Sequence, residues 1–182
     1  MSFHNRIVAA LVAIFVVAQP GAAATSDADA LLDKLPQADA PEAARLEKQI
    51  WREWSKSGSA SMDLLLQRGR DAMNAGDYDA AIEHLTALID HAPEFAEGWD
   101  ARATAYFQKG EFGPAVSDIV HVLALNPRHF GALTGFGRIL EETDQVERAL
   151  QVYQAVLAIH PHLDEVRDAV ERLQATAAGQ EL

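Results

Sequence analysis

Apolar residues recur at spacings of three and four along most of this chain, and the beat is broken at regular intervals by Gly or Pro. That spacing predicts amphipathic helices, and no segment alternates apolar and polar residues as a half-buried strand would. Ala75-Gly76-Asp77 offers a Gly to stop one helix and an Asp to cap the next, and Lys109-Gly110-Glu111 repeats the stop. Pro114 falls in a first helical turn, where its missing N–H is harmless. Pro93, Pro127 and Pro161 end the second helix of each pair, because the residue before a Pro avoids the helical region. The chain is predicted to be all-α.

The three prolines are spaced 34 residues apart, and the residues upstream of them fall into shared slots. Gly69, Ala103 and Gly137 occupy a small slot, as do Ala81, Ala115 and Ala149. Leu65, Trp99 and Leu133 occupy a large one, and Tyr78, Phe112 and Val146 another. A period of this length is the signature of stacked repeats. With Tyr106, Ile119, Leu140 and Tyr153 also in register, the pattern resembles the tetratricopeptide repeat (TPR). The resemblance implies a superhelical solenoid of three helix–turn–helix units, at 62–95, 96–129 and 130–163. Within a unit the helices should approach closely where Gly69 meets the neighbourhood of Ala81. Three positions depart from the family pattern: Arg68 and Arg102 stand where Leu is usual, and Asp144 replaces the turn Gly.

Outside the repeats the signals are of other kinds. Arg6, a twelve-residue apolar run from Ile7 to Ala18, and Ala22-Ala23-Ala24 read as a signal peptide over 1–24, cleaved after Ala24. The run is too short for a membrane span of ~20 residues. Within 25–61, Leu31, Leu32 and Leu35 form an apolar cluster before Pro36. A helix is predicted over 42–56, with Leu46, Ile50, Trp51 and Trp54 on one face. This helix is expected to cap the open N-terminal end of the solenoid; the alternative use of its two Trp is as an anchor for a partner. After Pro161 the stripe Leu163, Val166, Val170 and Leu173 predicts a capping helix, which with a frayed tail from Ala175 makes up the last segment, 164–182.

Charge then narrows the partners. Losing residues 1–24 removes one Arg and no acid, moving the net charge from −12 to −13. Such a chain repels nucleic acid and anionic lipid, and no membrane insertion is expected after signal cleavage. With no Cys there is no thiol chemistry. The six histidines beyond the signal make no HExxH arrangement; His160 and His162 flank Pro161 and are expected to be solvated turn residues. No nucleophile elbow or phosphate loop is present. Neither a cofactor, a metal nor a catalytic residue is expected.

Function is therefore sought on the surface. In the resembled family the concave groove is lined by first helices, and the matching places here hold a mixed set. They are Asp63, Leu66, Arg70, Met73 and Asn74 in the first unit; Glu97, Asp100, Thr104, Phe107 and Gln108 in the second; and Gly131, Thr134, Arg138, Glu141 and Glu142 in the third. Of these, Leu66, Arg70, Met73, Asn74, Asp100, Thr104, Phe107, Thr134, Arg138 and Glu142 are the candidate protein-binding residues. Leu66 and Arg70 replace the Lys and Asn that the family uses to clamp acidic chaperone tails, so such tails are not expected here. The resemblance and the signal together imply a periplasmic, non-enzymatic protein- or peptide-binding module serving cell-envelope assembly or integrity. The alternative is a self-associating structural protein, in which Trp51 and Trp54 would be buried between chains.

Overall fold

The computed structural model describes residues 27–180, and among them the regular structure is entirely helical; the expected signal peptide lies outside the described residues. A short α1 (Asp27–Leu32) and a 3-10 turn (Leu35–Gln37) lead into α2 (Ala40–Trp54), which Asp39 caps by accepting the Glu42 N–H at 2.9 Å. Three helix–turn–helix pairs follow: α3 (Ala60–Asn74) with α4 (Tyr78–His91), α5 (Ala96–Gln108) with α6 (Phe112–Leu125), and α7 (Phe130–Glu142) with α8 (Val146–Ile159). A long α9 (Asp164–Gln180) closes the described chain, so the segment expected to fray from Ala175 continues the helix. Its stripe Val166, Ala169, Val170 and Leu173 is buried.

Each pair packs on the next through α4 against α5, α6 against α7 and α8 against α9. The first helices also touch one another, α3 on α5 and α5 on α7. This puts them on the inner side of the curve. Turn chemistry sets the pairs: Gly76 and Gly110 take φ of +76°, which a Gly adopts without steric cost. In the third turn Asp144 takes φ +55°, so the departure from Gly leaves the left-handed conformation in place.

The close approach within a unit falls in the expected neighbourhood, one turn beyond Ala81. A Cβ on Gly69 would lie 2.6 Å from Leu85 Cγ, and one on Gly137 2.3 Å from Tyr153 Cε1. The small slot therefore seats the large residue four places after Ala81 or Ala149, both alanines being fully buried beside it. Arg102 also finds its reason here. Its guanidinium forks onto Asp118, at 2.8 and 2.9 Å, and donates to Thr86 at 3.0 Å, beside the rings of Trp99 and Tyr106. Asp118 is buried in α6 and Thr86 belongs to α4, so the Arg ties two units together.

The largest correction concerns α2. It does not cover the N-terminal end of the solenoid. Its buried stripe Ala43, Leu46 and Ile50 joins one core with Phe130, Leu133, Tyr153 and Val156 of the third pair and Val166 and Val170 of α9. The reasons are a matching hole and three polar latches. A Cβ at Gly131 would lie 2.5 Å from Trp51 Cη2, so only a Gly lets the indole sit there. His160 Nε2 meets Glu47 Oε2 at 3.3 Å, His162 Nε2 meets the Ala38 carbonyl at 2.8 Å, and Arg128 donates to Asp33 at 2.7 Å. His160 is thus buried and His162 half-buried, not solvated turn residues. Both Trp rings pack within the chain, in edge contact with each other and against His129 and Phe130.

Candidate functional site

The α2 strap lies against the N-terminal end of α7 and borders a half-open recess on the concave face. The recess has a volume of about 230 Å³. Asp100, Thr104, Phe107 and Gln108 of α5 line one side; Gly131, Thr134 and Arg138 of α7 line the other. Thr134 is itself buried, its hydroxyl donating to the Phe130 carbonyl at 2.8 Å. Residues from outside the expected groove places complete the wall: Glu47 and Trp51 from α2, Phe130, and Leu163 and Glu165 beside α9. No sequence signal placed them there. The stripe of α2 identified an apolar face but not which face of the solenoid would receive it.

Other expected groove residues lie elsewhere. Leu66 is a core residue, packed with Leu85, Leu88, Ala101 and Ala105. The two small alanines of α5 let it sink between the first two units, so it is not a groove contact. Met73 is half-buried against the same core, while Asn74 and Glu142 are exposed and do not line the recess. Asp63 accepts the Ser57 N–H and hydroxyl at 3.0 and 2.6 Å, fastening the loop before α3. Both groove arginines have partners within the chain. Arg70 pairs with Glu97 and donates to Ser55 at 3.3 Å, whereas Arg138 donates to Glu165 at 2.7 Å. Glu141 is taken by Arg172 and by the Tyr153 hydroxyl.

Beside the recess lies a cluster that the sequence did not point to: Glu97, Asp100 and His129, with one ligand atom of each within 4.8 Å of the others. Glu97 and His129 are buried, and Glu97 Oε2 and His129 Nε2, 3.5 Å apart, have no hydrogen-bond partner among the described residues. This is the donor set of a candidate metal centre, but the protons do not suit one. His129 caps α7 by accepting the Ala132 N–H at Nδ1, 3.0 Å away. A neutral ring that accepts this bond carries its proton on Nε2; a cationic ring carries one there too, but gives up the cap because Nδ1 is then also a donor. Burial opposes the cation, but Asp100 and Glu97 outweigh it and raise the affinity of the ring for a proton. A metal at Nε2 would have to displace that proton and cost the cap. The cluster is better described as a buried imidazole whose N–H faces a carboxylate. Trp54 stacks on the same ring, with centroids 4.2 Å apart. Burial, reinforced by Glu97, raises the carboxyl of Asp100 to about 6 against the pull of His129 and Arg70.

A family model described as tetratricopeptide repeat matches residues 66–120 and 101–164. The chain belongs to the tetratricopeptide repeat family. A TPR repeat-containing protein of Rhizobium etli is 36% identical over 141 residues, which make up 78% of this chain and 69% of that one. Human RNA polymerase II-associated protein 3 is 27% identical over 156 residues, 85% of this chain but 24% of its own length. Among solved structures, the first TPR of Spaghetti (RPAP3), bound to an HSP90 peptide SRMEEVD, superposes with a TM-score of 0.62 at 27% identity. That superposition covers 64% of this chain and 95% of that one. The TPR core is shared, while α2 seated on the third unit depends on features of this sequence, Gly131 and Trp51 above all.

Proposed function

We propose that this TPR protein is a non-enzymatic binding module that holds a segment of another protein in the recess between α5, α7 and α2. The observation that carries this reading is the recess itself: a half-open, mixed aromatic and polar hollow on the face formed by the first helices. Peptide capture by a solved TPR neighbour supports it, since the Spaghetti domain was solved with a bound peptide. The charged, apolar-leading start of the chain supports export to the periplasm, and with it a role in cell-envelope assembly or integrity. Self-association through Trp51 and Trp54 loses its support, because both rings pack within the chain.

A photo-crosslinking amino acid at position 104, inside the recess, should give a discrete adduct in the intact envelope, and one at the convex-side position 83 should not. Gly135 lines the recess, and a Cβ there meets only Ile119 Cδ1, at 3.9 Å. Gly135→Leu should therefore fill the hollow and abolish the adduct, while Gly135→Ala keeps it. An adduct as strong from position 83, or one indifferent to Gly135→Leu, overturns the assignment. Export is checked separately by intact mass: a mature chain starting at Thr25 in the periplasmic fraction is expected, and a retained N-terminus in the membrane fraction refutes it.

A further inference from the structure

The lining of the recess has a one-sided charge. Glu47, Asp100 and Glu165 face it, against one guanidinium, Arg138, which Glu165 already holds at 2.7 Å. Arg70, the other cation expected on this face, is occupied by Glu97 and does not line the recess. Asp100 is poorly matched: its carboxylate has His129 Nδ1 at 3.9 Å, too long for a hydrogen bond. The energy cost of keeping it ionised in this place appears as its raised pKa of about 6. Around these acids stand apolar surfaces, from Trp51, Phe107, Phe130 and Ile139.

A long basic side chain satisfies both features at once. Its methylene stem lies along aromatic and aliphatic walls, and its charged tip reaches a carboxylate. Volume gives the scale. Sites for small molecules enclose about 300–1,000 Å³, and this recess, at about 230 Å³, suits one side chain rather than a cofactor. An acidic segment would meet like charge from Glu47 and Asp100, Glu165 being offset by Arg138.

We propose that the recess is a receptor for one lysine or arginine side chain of a bound peptide, with Asp100 as the principal counter-ion and Trp51 as the apolar wall. This rests on the groove reading above and names the chemistry of its partner. Because Glu47 and Trp51 come from α2, the receptor is complete only with the strap in place. A cation at Asp100 adds to the partial neutralisation that His129 and Arg70 supply.

The test uses the purified protein, the Trp51 indole N–H resonance as reporter, and acetyl-leucyl-lysyl-leucinamide as probe. The lysine peptide should shift that resonance saturably with a Kd of about 1 mM or tighter. The same peptide with central norleucine or glutamate should bind at least about tenfold more weakly, as should the lysine peptide to Asp100→Asn. Glu83→Gln, on the convex side, should change nothing. Should Asp100→Asn fail to fold, Gly135→Leu, which fills the hollow, serves instead and should abolish the shift, the norleucine and glutamate peptides still testing the charge. Equal binding of the norleucine peptide, or tighter binding of the glutamate peptide, overturns the proposal. So does absence of any shift, and so does spermidine binding more tightly than the peptide, which would assign the recess to small amines. If the position-104 adduct forms and depends on the recess, yet lysine is not preferred, the groove reading stands and this proposal alone fails. If neither occurs, both fail.

Discussion

The indole of Trp51 occupies the space where any residue but Gly at position 131 would carry its Cβ, 2.5 Å from Cη2. A helix that precedes the repeats is thereby keyed to the first turn of the last pair. Gly131→Ala should destabilise the protein by ~1–3 kcal/mol through overpacking and raise hydrogen exchange in α2. Adding Trp51→Phe, which removes the outer ring atoms, should recover much of that loss. Urea melts of the single and double variants check this; an additive double variant would show that the two residues are not in contact.

Arg102 and Asp118 form a second keyed pair, and one that defies the family preference for Leu. Arg102→Leu leaves Asp118 buried without its guanidinium, a change that typically costs ~3–5 kcal/mol. Replacing both, as Arg102→Leu with Asp118→Leu, should return most of the stability, because two apolar side chains then fill the space. Equilibrium unfolding decides it, and a double variant as weak as the single one would mean that the pair is needed for more than its charge balance.

Asp144 offers a gain instead of a loss. It sits at φ +55° where the equivalent residues are Gly76 and Gly110. Left-handed backbone costs a residue with a Cβ roughly 1–2 kcal/mol, less for Asp, and Gly gives back part of the gain through its freer unfolded chain. Asp144→Gly should therefore raise stability by about 0.5 kcal/mol, read as a small rise in Tm.

The strap should also respond to acid through His160. Burial lowers the pKa of this imidazole, and Glu47 opposes the shift without overcoming it. A folded-state pKa below the unfolded value of about 6.5 means that the contribution is fully present above that pH and is lost as the pH falls through the folded pKa. Asp100 and His129, both shifted upward, act in the opposite sense. The measurement is therefore the difference between wild type and His160→Gln, followed by urea midpoint from pH 7.5 to 5. Wild type should lose stability relative to the variant on acidification; parallel curves would show that His160 does not titrate against the strap.

The helical pairs were legible because local rules agree with the packing: a 34-residue beat, Gly at turns and Pro at exits all report the same register. Arg102 was legible only as a departure, since its partner Asp118 lies on another helix and has no local signature. The recess was half legible. Asp100, Thr104, Phe107, Thr134 and Arg138 were reachable from their places in the repeat, and the recess does join them. Leu66 was misplaced because its depth depends on how small Ala101 and Ala105 are, a property of the neighbouring helix. The seat of α2 was not legible at all. Amphipathic spacing says that a helix has a face to bury, and the choice among several apolar ends is made by fit, here the hole at Gly131 and the latches at His160 and His162.

An ordinary repeat array can grow, because each unit touches only its neighbours. The strap removes that freedom. The bond from His162 to the Ala38 carbonyl joins positions 124 apart, and the one from Arg128 to Asp33 joins positions 95 apart. Adding a unit between them would carry the seat of Trp51 out of reach of the helix that fills it. The chain behaves as a ring closed by side chains, with its number of repeats fixed by the length of the segment that returns to meet the last one. Such closure also delays the final step of folding until both ends are present, so an N-terminal fragment has every repeat signal it needs except the surface its first helices were made to cover.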